Sequence, residues 1–169
     1  MSDVNRSYRE ILQNLDLLYN YLNLMLFSGK LQSALITLET EDTNRNNIKG
    51  FYQRKSPYGV GYIAIERINV NPQYFKAEDG WLSISTTLLH EMVHQYARNE
   101  GFVDYKDGKH TVEFKRLAEK HGMKVIDISD DQKGYYITTL TERSKKIISE
   151  FCKDFELPLI TATPLSRIR

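Results

Sequence analysis

The stretch Leu88–Tyr96, LLHEMVHQY, constrains this chain more than any other. His90 and His94 stand four residues apart, and Glu91 directly follows the first. On an α-helix a four-residue step turns about 40° and climbs ~6 Å, so both imidazoles reach one point off one face. Two histidines placed this way can share a zinc ion. A carboxylate at the edge of the same face can take a proton from water on that metal. Zinc lowers the pKa of such water towards ~7, which makes Glu91 a candidate general base and proton shuttle. With 4 His and 12 Glu in 169 residues, H-E-x-x-H arises by chance in roughly one such sequence in 150. The surroundings add to the spacing. Leu88, Leu89, Met92, Val93 and Tyr96 make the helix apolar almost all round, so it must be largely buried. Two histidines and a glutamate in a buried helix need partners.

The remaining composition bounds what else the chain can be. Its 169 residues fit one domain with a proper core over residues 1–157, followed by a loose tail over 158–169. The 41% hydrophobic and 27% charged content is that of a soluble globular protein. A net charge of +1 calls for neither nucleic acid nor membrane as a partner. No run reaches the roughly 18 apolar residues of a membrane span. The start, MSDVNRSYRE, has no charged-then-apolar leader pattern, and a cytoplasmic protein is expected. A lone cysteine, Cys152, excludes both an internal disulfide and a four-cysteine zinc ribbon within this chain.

Apolar residues at three- and four-residue steps from Tyr8 to Leu26 predict a long amphipathic helix, closed by Gly29. Strands are expected at Ala34–Glu39, near Gly50–Arg54 and over Tyr62–Val70. A polar turn at Glu41–Asn47 and the Pro57-Tyr58-Gly59 break separate them. Three strands between two helices predict an α+β fold with a short, mostly antiparallel sheet. The zinc motif lies on a helix over about Ser83–Arg98. Phe114, Leu117, Ala118 and His121 then mark one face of a further helix that Gly122 ends. Two short strands, Lys124–Ile128 and Tyr135–Leu140, and a helix from Thr141-Glu142 to about Phe155 complete the pattern. Residues 43–65 carry Arg45, Lys49, Arg54 and Lys55 among Phe51, Tyr52, Tyr58 and Tyr62, with no acidic residue. Such a stretch can grip phosphate and stack on bases, although a solvated hairpin face explains it as well.

A catalytic zinc needs a third protein ligand and an open position. The metzincin extension H-x-x-G-x-x-H is absent, since Ala97 and Glu100 occupy its Gly and His positions. His110, His121, Glu113 and Glu119 remain. His110 is favoured because it leads into the inward face of the next helix behind a glycine loop. His121 sits at a helix end, where histidines cap carbonyls or close a core. Glu119 points away from that face.

LLHEMVHQY, a loop, then GKHTVEF resembles the core of SprT-like zinc metalloproteases, the group that includes Spartan. LFSGKL at Leu26–Leu31, the stretch Gly50–Tyr52 and the INVNP segment also resemble that family, so the likeness spans about residues 8–125. It implies a zincin-like protease domain with one catalytic zinc on His90, His94 and His110, and Glu91 as general base. It also implies a protein or peptide substrate, with a link to DNA-bound or DNA-crosslinked proteins. Two departures stand out. Lys109 and Thr111 flank His110 where the family often has glycines, and the C-terminal zinc ribbon of many members has no counterpart here. The rival expectation is a non-proteolytic zinc-containing nucleic-acid-binding or adaptor module.

Overall fold

Leucines spaced three and four apart wind Asp3–Phe27 into helix α1, whose Leu15, Leu18, Tyr19 and Leu22 are fully buried. Each such side chain contributes about 2 kcal/mol relative to exposure. The helix stops where Ser28 and Gly29 both turn left-handed (φ 57° and 71°), and Gly29 N–H closes back on Asn23 O at 2.9 Å. The computed structural model describes residues 3–40, 48–54, 59–60, 63–74, 80–128 and 136–155. The expected turn at 41–47, Arg45, Lys55, Tyr58, Tyr62, Tyr135 and the tail after 155 lie outside the described residues.

Four short strands follow α1: β1 (Ala34–Thr37), β2 (Gly50–Gln53), β3 (Gly59–Val60) and β4 (Ile63–Ala64). β5 (Glu66–Val70) comes next, so the single strand expected over Tyr62–Val70 is interrupted at Ile65. The main sheet has the order β1-β5-β2. β5 runs parallel to β1 and antiparallel to β2, with Tyr52 opposite Ile68 and Gly50 opposite Val70. Every other pairing is antiparallel, within separate two-stranded units, so the sheet content is mixed and divided among small pieces. Ile68 and Val70 are fully buried against the helix that follows.

That helix, α2 (Trp81–Asn99), runs through the centre of the core, with Ile84, Leu88, Leu89, Met92, Val93 and Ala97 all fully buried. After it come a tight hairpin of β6 (Tyr105–Lys106) and β7 (Lys109–His110), then α3 (Val112–Lys120). β8 (Met123–Asp127), β9 (Tyr136–Leu140) and α4 (Glu142–Asp154) complete the described chain. α3 begins where Thr111 caps it, its hydroxyl accepting from Phe114 N–H at 3.2 Å. Phe114, Leu117 and Ala118 face the core as their spacing predicts. The architecture is α+β, and no helix among the described residues is long and apolar enough to cross a membrane.

Candidate active site and metal centre

α2 presents two polar faces, and the site lies where they meet. Along one, His90 and His94 project towards the β6–β7 hairpin and meet His110. The Nε2 atoms of His94 and His90 are 3.2 Å apart, and those of His94 and His110 are 3.1 Å apart. His110 differs from expectation in its setting. It lies in β7 rather than on the following helix, because the Thr111 cap delays the first helical residue to Val112. The glycine turn does fold the segment back: Gly108 has φ 79° and Asp107 φ 51°, and Thr111 N–H bonds Asp104 O at 3.0 Å.

The outer nitrogens of two rings are already committed. His94 Nδ1 is 2.5 Å from Asp104 Oδ2, and His90 Nδ1 is 2.8 Å from Thr138 Oγ1 on β9. An ionised carboxylate can only accept, so His94 donates from Nδ1, which leaves Nε2 as its metal-facing nitrogen. Burial holds His110 down to about 4 and keeps His90 well below the ordinary imidazole range. Ring nitrogens that converge at this distance can be bridged by one cation held on their lone pairs. Tetrahedral zinc with Zn–N of 2.0–2.1 Å requires ligand nitrogens about 3.3 Å apart. The three histidines therefore fit such an ion, and among the described residues they are the group able to hold one. Phe114, fully buried, floors the cluster, its ring centroid 4.9, 4.5 and 4.2 Å from those of His90, His94 and His110.

Asp104 is 1% exposed and had no sequence signal, since no spacing rule ties it to His94. Burial alone would raise its carboxyl, but the hydrogen bond from His94 Nδ1 and the neighbouring Arg98 guanidinium hold it below the usual carboxylate range. Arg98 Nε lies 2.7 Å from Oδ1 as an ion pair, off the hydrogen-bond direction. Thr138, equally unsignalled, ties the β8–β9 hairpin to the first histidine.

The second face of α2 carries Thr87, Glu91 and Gln95 at four-residue steps over the sheet. Glu91 is 6% exposed, and its carboxyl lies against the sheet edge, where the Tyr52 backbone N–H faces it. Burial pushes the Glu91 carboxyl up to about 7, against the pull of His94 and Tyr52. A Cβ on Gly50 would stand 2.7 Å from both Asn69 O and Thr87 Cγ2 and 3.4 Å from Glu91 Cγ, so only glycine lets the helix lie this close.

The other ligand candidates are occupied elsewhere. Glu113 chelates Arg116 on the surface, and Glu119 is exposed. His121 is the C-cap of α3, donates from Nδ1 to Leu26 O at 2.8 Å and stacks on Phe27, which is the structural role expected of it. Tyr96 packs between Phe27 and His121 in the core, and the Tyr136 ring lies beneath Lys115.

A model of the SprT-like family matches residues 15–139. The chain belongs to the SprT-like family. No curated protein and no solved structure matches it. SprT-like membership makes this a zinc-metalloprotease-type domain, and the clustered histidines are compatible with the metal that the family uses.

Proposed function

We propose that this SprT-like chain is a zinc-dependent endopeptidase in which His90, His94 and His110 hold the metal and Glu91 is the general base. The observation that carries the reading is the convergence of three histidine Nε2 nitrogens beside a buried carboxylate. When bound, zinc supplies a Lewis acid for the scissile carbonyl and brings water near its pKa at neutrality. Glu91 accepts the proton of the attacking water and returns it to the leaving amine, a task suited to a carboxyl poised near neutral pH. Asp104 and Thr138 hold the rings so that Nε2 points inward.

Substrate alignment is supported by β2, the sheet's edge strand. Asn71 N–H bonds Lys49 O at 2.8 Å, so alternation turns the main-chain groups of Gly50 and the Tyr52 carbonyl off the edge, beside Glu91. An extended peptide can pair there through its backbone, with weak side-chain preference. A DNA-associated protein is the finer substrate we propose. It is motivated by exposed Lys49 and Arg54 flanking that strand, together with Arg45 and Lys55 in the sequence. The described aromatic residues of the stretch have other contacts, since Arg67 covers Phe51 and Tyr52 bonds Glu66. Phosphate contact is therefore the stronger half of that proposal, and Arg54→Ala/Lys55→Ala with unchanged DNA affinity would remove it.

The adaptor alternative needs a structural zinc, which is normally closed by four protein ligands. Three converge here among the described residues. Glu91→Gln decides between the two. Zinc-loaded variant and wild type are assayed on an unfolded protein such as casein. Loss of at least a hundredfold in hydrolysis with zinc and fold retained supports the peptidase; no hydrolysis by the wild type favours the adaptor.

A further inference from the structure

Behind Glu91 lies a buried polar chain that the hydrolytic chemistry does not use. Gln95, fully buried and one turn beyond Glu91, donates from Nε2 to Glu66 Oε2 at 2.5 Å and to Gln32 O at 3.0 Å. Its carbonyl accepts from Tyr19 OH at 2.8 Å. The other oxygen of Glu66 accepts from Tyr52 OH at 2.9 Å. Every hydrogen-bonding site of the Gln95 amide hydrogens is filled, and both Glu66 oxygens have a donor, the condition under which a buried network rigidifies its surroundings. Burial, with Glu66 beside it, raises the Tyr52 phenol far above neutrality, so its hydroxyl remains a donor.

Tyr52 is therefore held at two points. Its side chain is tied through Glu66 to Gln95 on α2, and its backbone N–H meets the Glu91 carboxyl on the same helix. The opposite register partner, Ile68, is fully buried and leaves the strand no room to slide. We propose that Tyr52, Glu66 and Gln95 are positioning residues: they lock the β2 edge against α2 so that the Tyr52 N–H aims the Glu91 carboxylate at the metal side of the cleft. The inference rests on Glu91 acting as the base. It assigns functional weight to two residues distant from the metal ligands in sequence and to a glutamine on the H-E-x-x-H helix itself.

Tyr52→Phe deletes one hydroxyl and leaves the ring and backbone in place. Gln95→Met removes the amide at similar volume. Glu66→Gln is the conservative control, because its amide can accept from Gln95 and donate to the Tyr52 oxygen, keeping both links. The full zinc-loaded chain is used throughout, with casein hydrolysis, zinc content and amide hydrogen exchange measured in parallel. Tyr52→Phe and Gln95→Met should lower kcat about tenfold with KM within twofold and zinc unchanged. Exchange protection at the Tyr52 amide should fall about tenfold while protection in β5 is kept. Glu66→Gln should stay within about twofold of wild type on every readout. Wild-type kcat and Tyr52 protection in Tyr52→Phe would overturn the proposal. Loss of protection spread evenly over β2 and β5 would also overturn it, because the network would then be purely structural. If the wild type hydrolyses nothing, the peptidase reading fails, and local Tyr52 protection alone upholds or overturns the lock.

Discussion

Replacing Asp104 by alanine tests how much of the metal site depends on a residue outside the ligand set. The carboxylate is 1% exposed and accepts from His94 Nδ1 at 2.5 Å. Without it, nothing fixes the His94 tautomer, and the ring is free to carry its proton on the nitrogen that faces the metal. Loss of such an outer partner lowers metal affinity 10–100-fold, or about 1.4–2.7 kcal/mol. The second arm contributes less. The Arg98 side chain is 47% exposed, and ion pairs that open to solvent give about 0–1 kcal/mol. Arg98→Ala should therefore weaken zinc by less than about fivefold, while Asp104→Ala weakens it by at least tenfold. Competition against a chromophoric chelator at pH 7.5 measures both. Equal losses in the two variants, or wild-type affinity in Asp104→Ala, would refute the assignment of Asp104 as the group that orients His94.

Further outcomes follow from the same geometry. His110→Ala removes one of three converging nitrogens, so elemental analysis should give about one zinc per wild-type chain and a large loss in the variant. Gly50→Ala puts a methyl 2.7 Å from a backbone carbonyl and from Thr87, so overpacking of about 1–3 kcal/mol should appear in urea unfolding. Hydrolysis should fall more steeply than zinc affinity in that variant, because the methyl crowds Glu91 and not the histidines. His121 is held below its ordinary pKa by burial, so it is neutral in the fold and takes up a proton on unfolding in acid. That group's contribution is complete above about pH 6.5 and is lost as pH falls below it, by at most ~1.4 kcal/mol per pH unit. His121→Asn should flatten the wild-type acid slope of stability below about pH 6.5.

The elements that sequence alone determined are those governed by neighbours in the chain. Four-residue spacing on one helix put His90 and His94 on a common face with Glu91 at its edge. The leucine steps gave α1, Gly29 ended it, and the face of Phe114, Leu117 and Ala118 gave α3. His110 was legible as a ligand candidate through its motif but not in its setting, since a two-residue hairpin leaves too short a pattern to distinguish from a helix start. Tertiary structure decided the rest. Asp104 and Thr138 reach His94 and His90 only because two hairpins fold onto α2, the second from 48 residues away. The parallel pairing of β1 with β5 and the Gln95–Glu66 link join residues 29 or more apart in sequence, and Tyr52 reaches the sheet edge by pairing with Ile68. Helical periodicity reports which face of a segment is buried, but not what meets it. The groups that meet the histidines and Glu91 are supplied across the core, by contacts that no local pattern encodes.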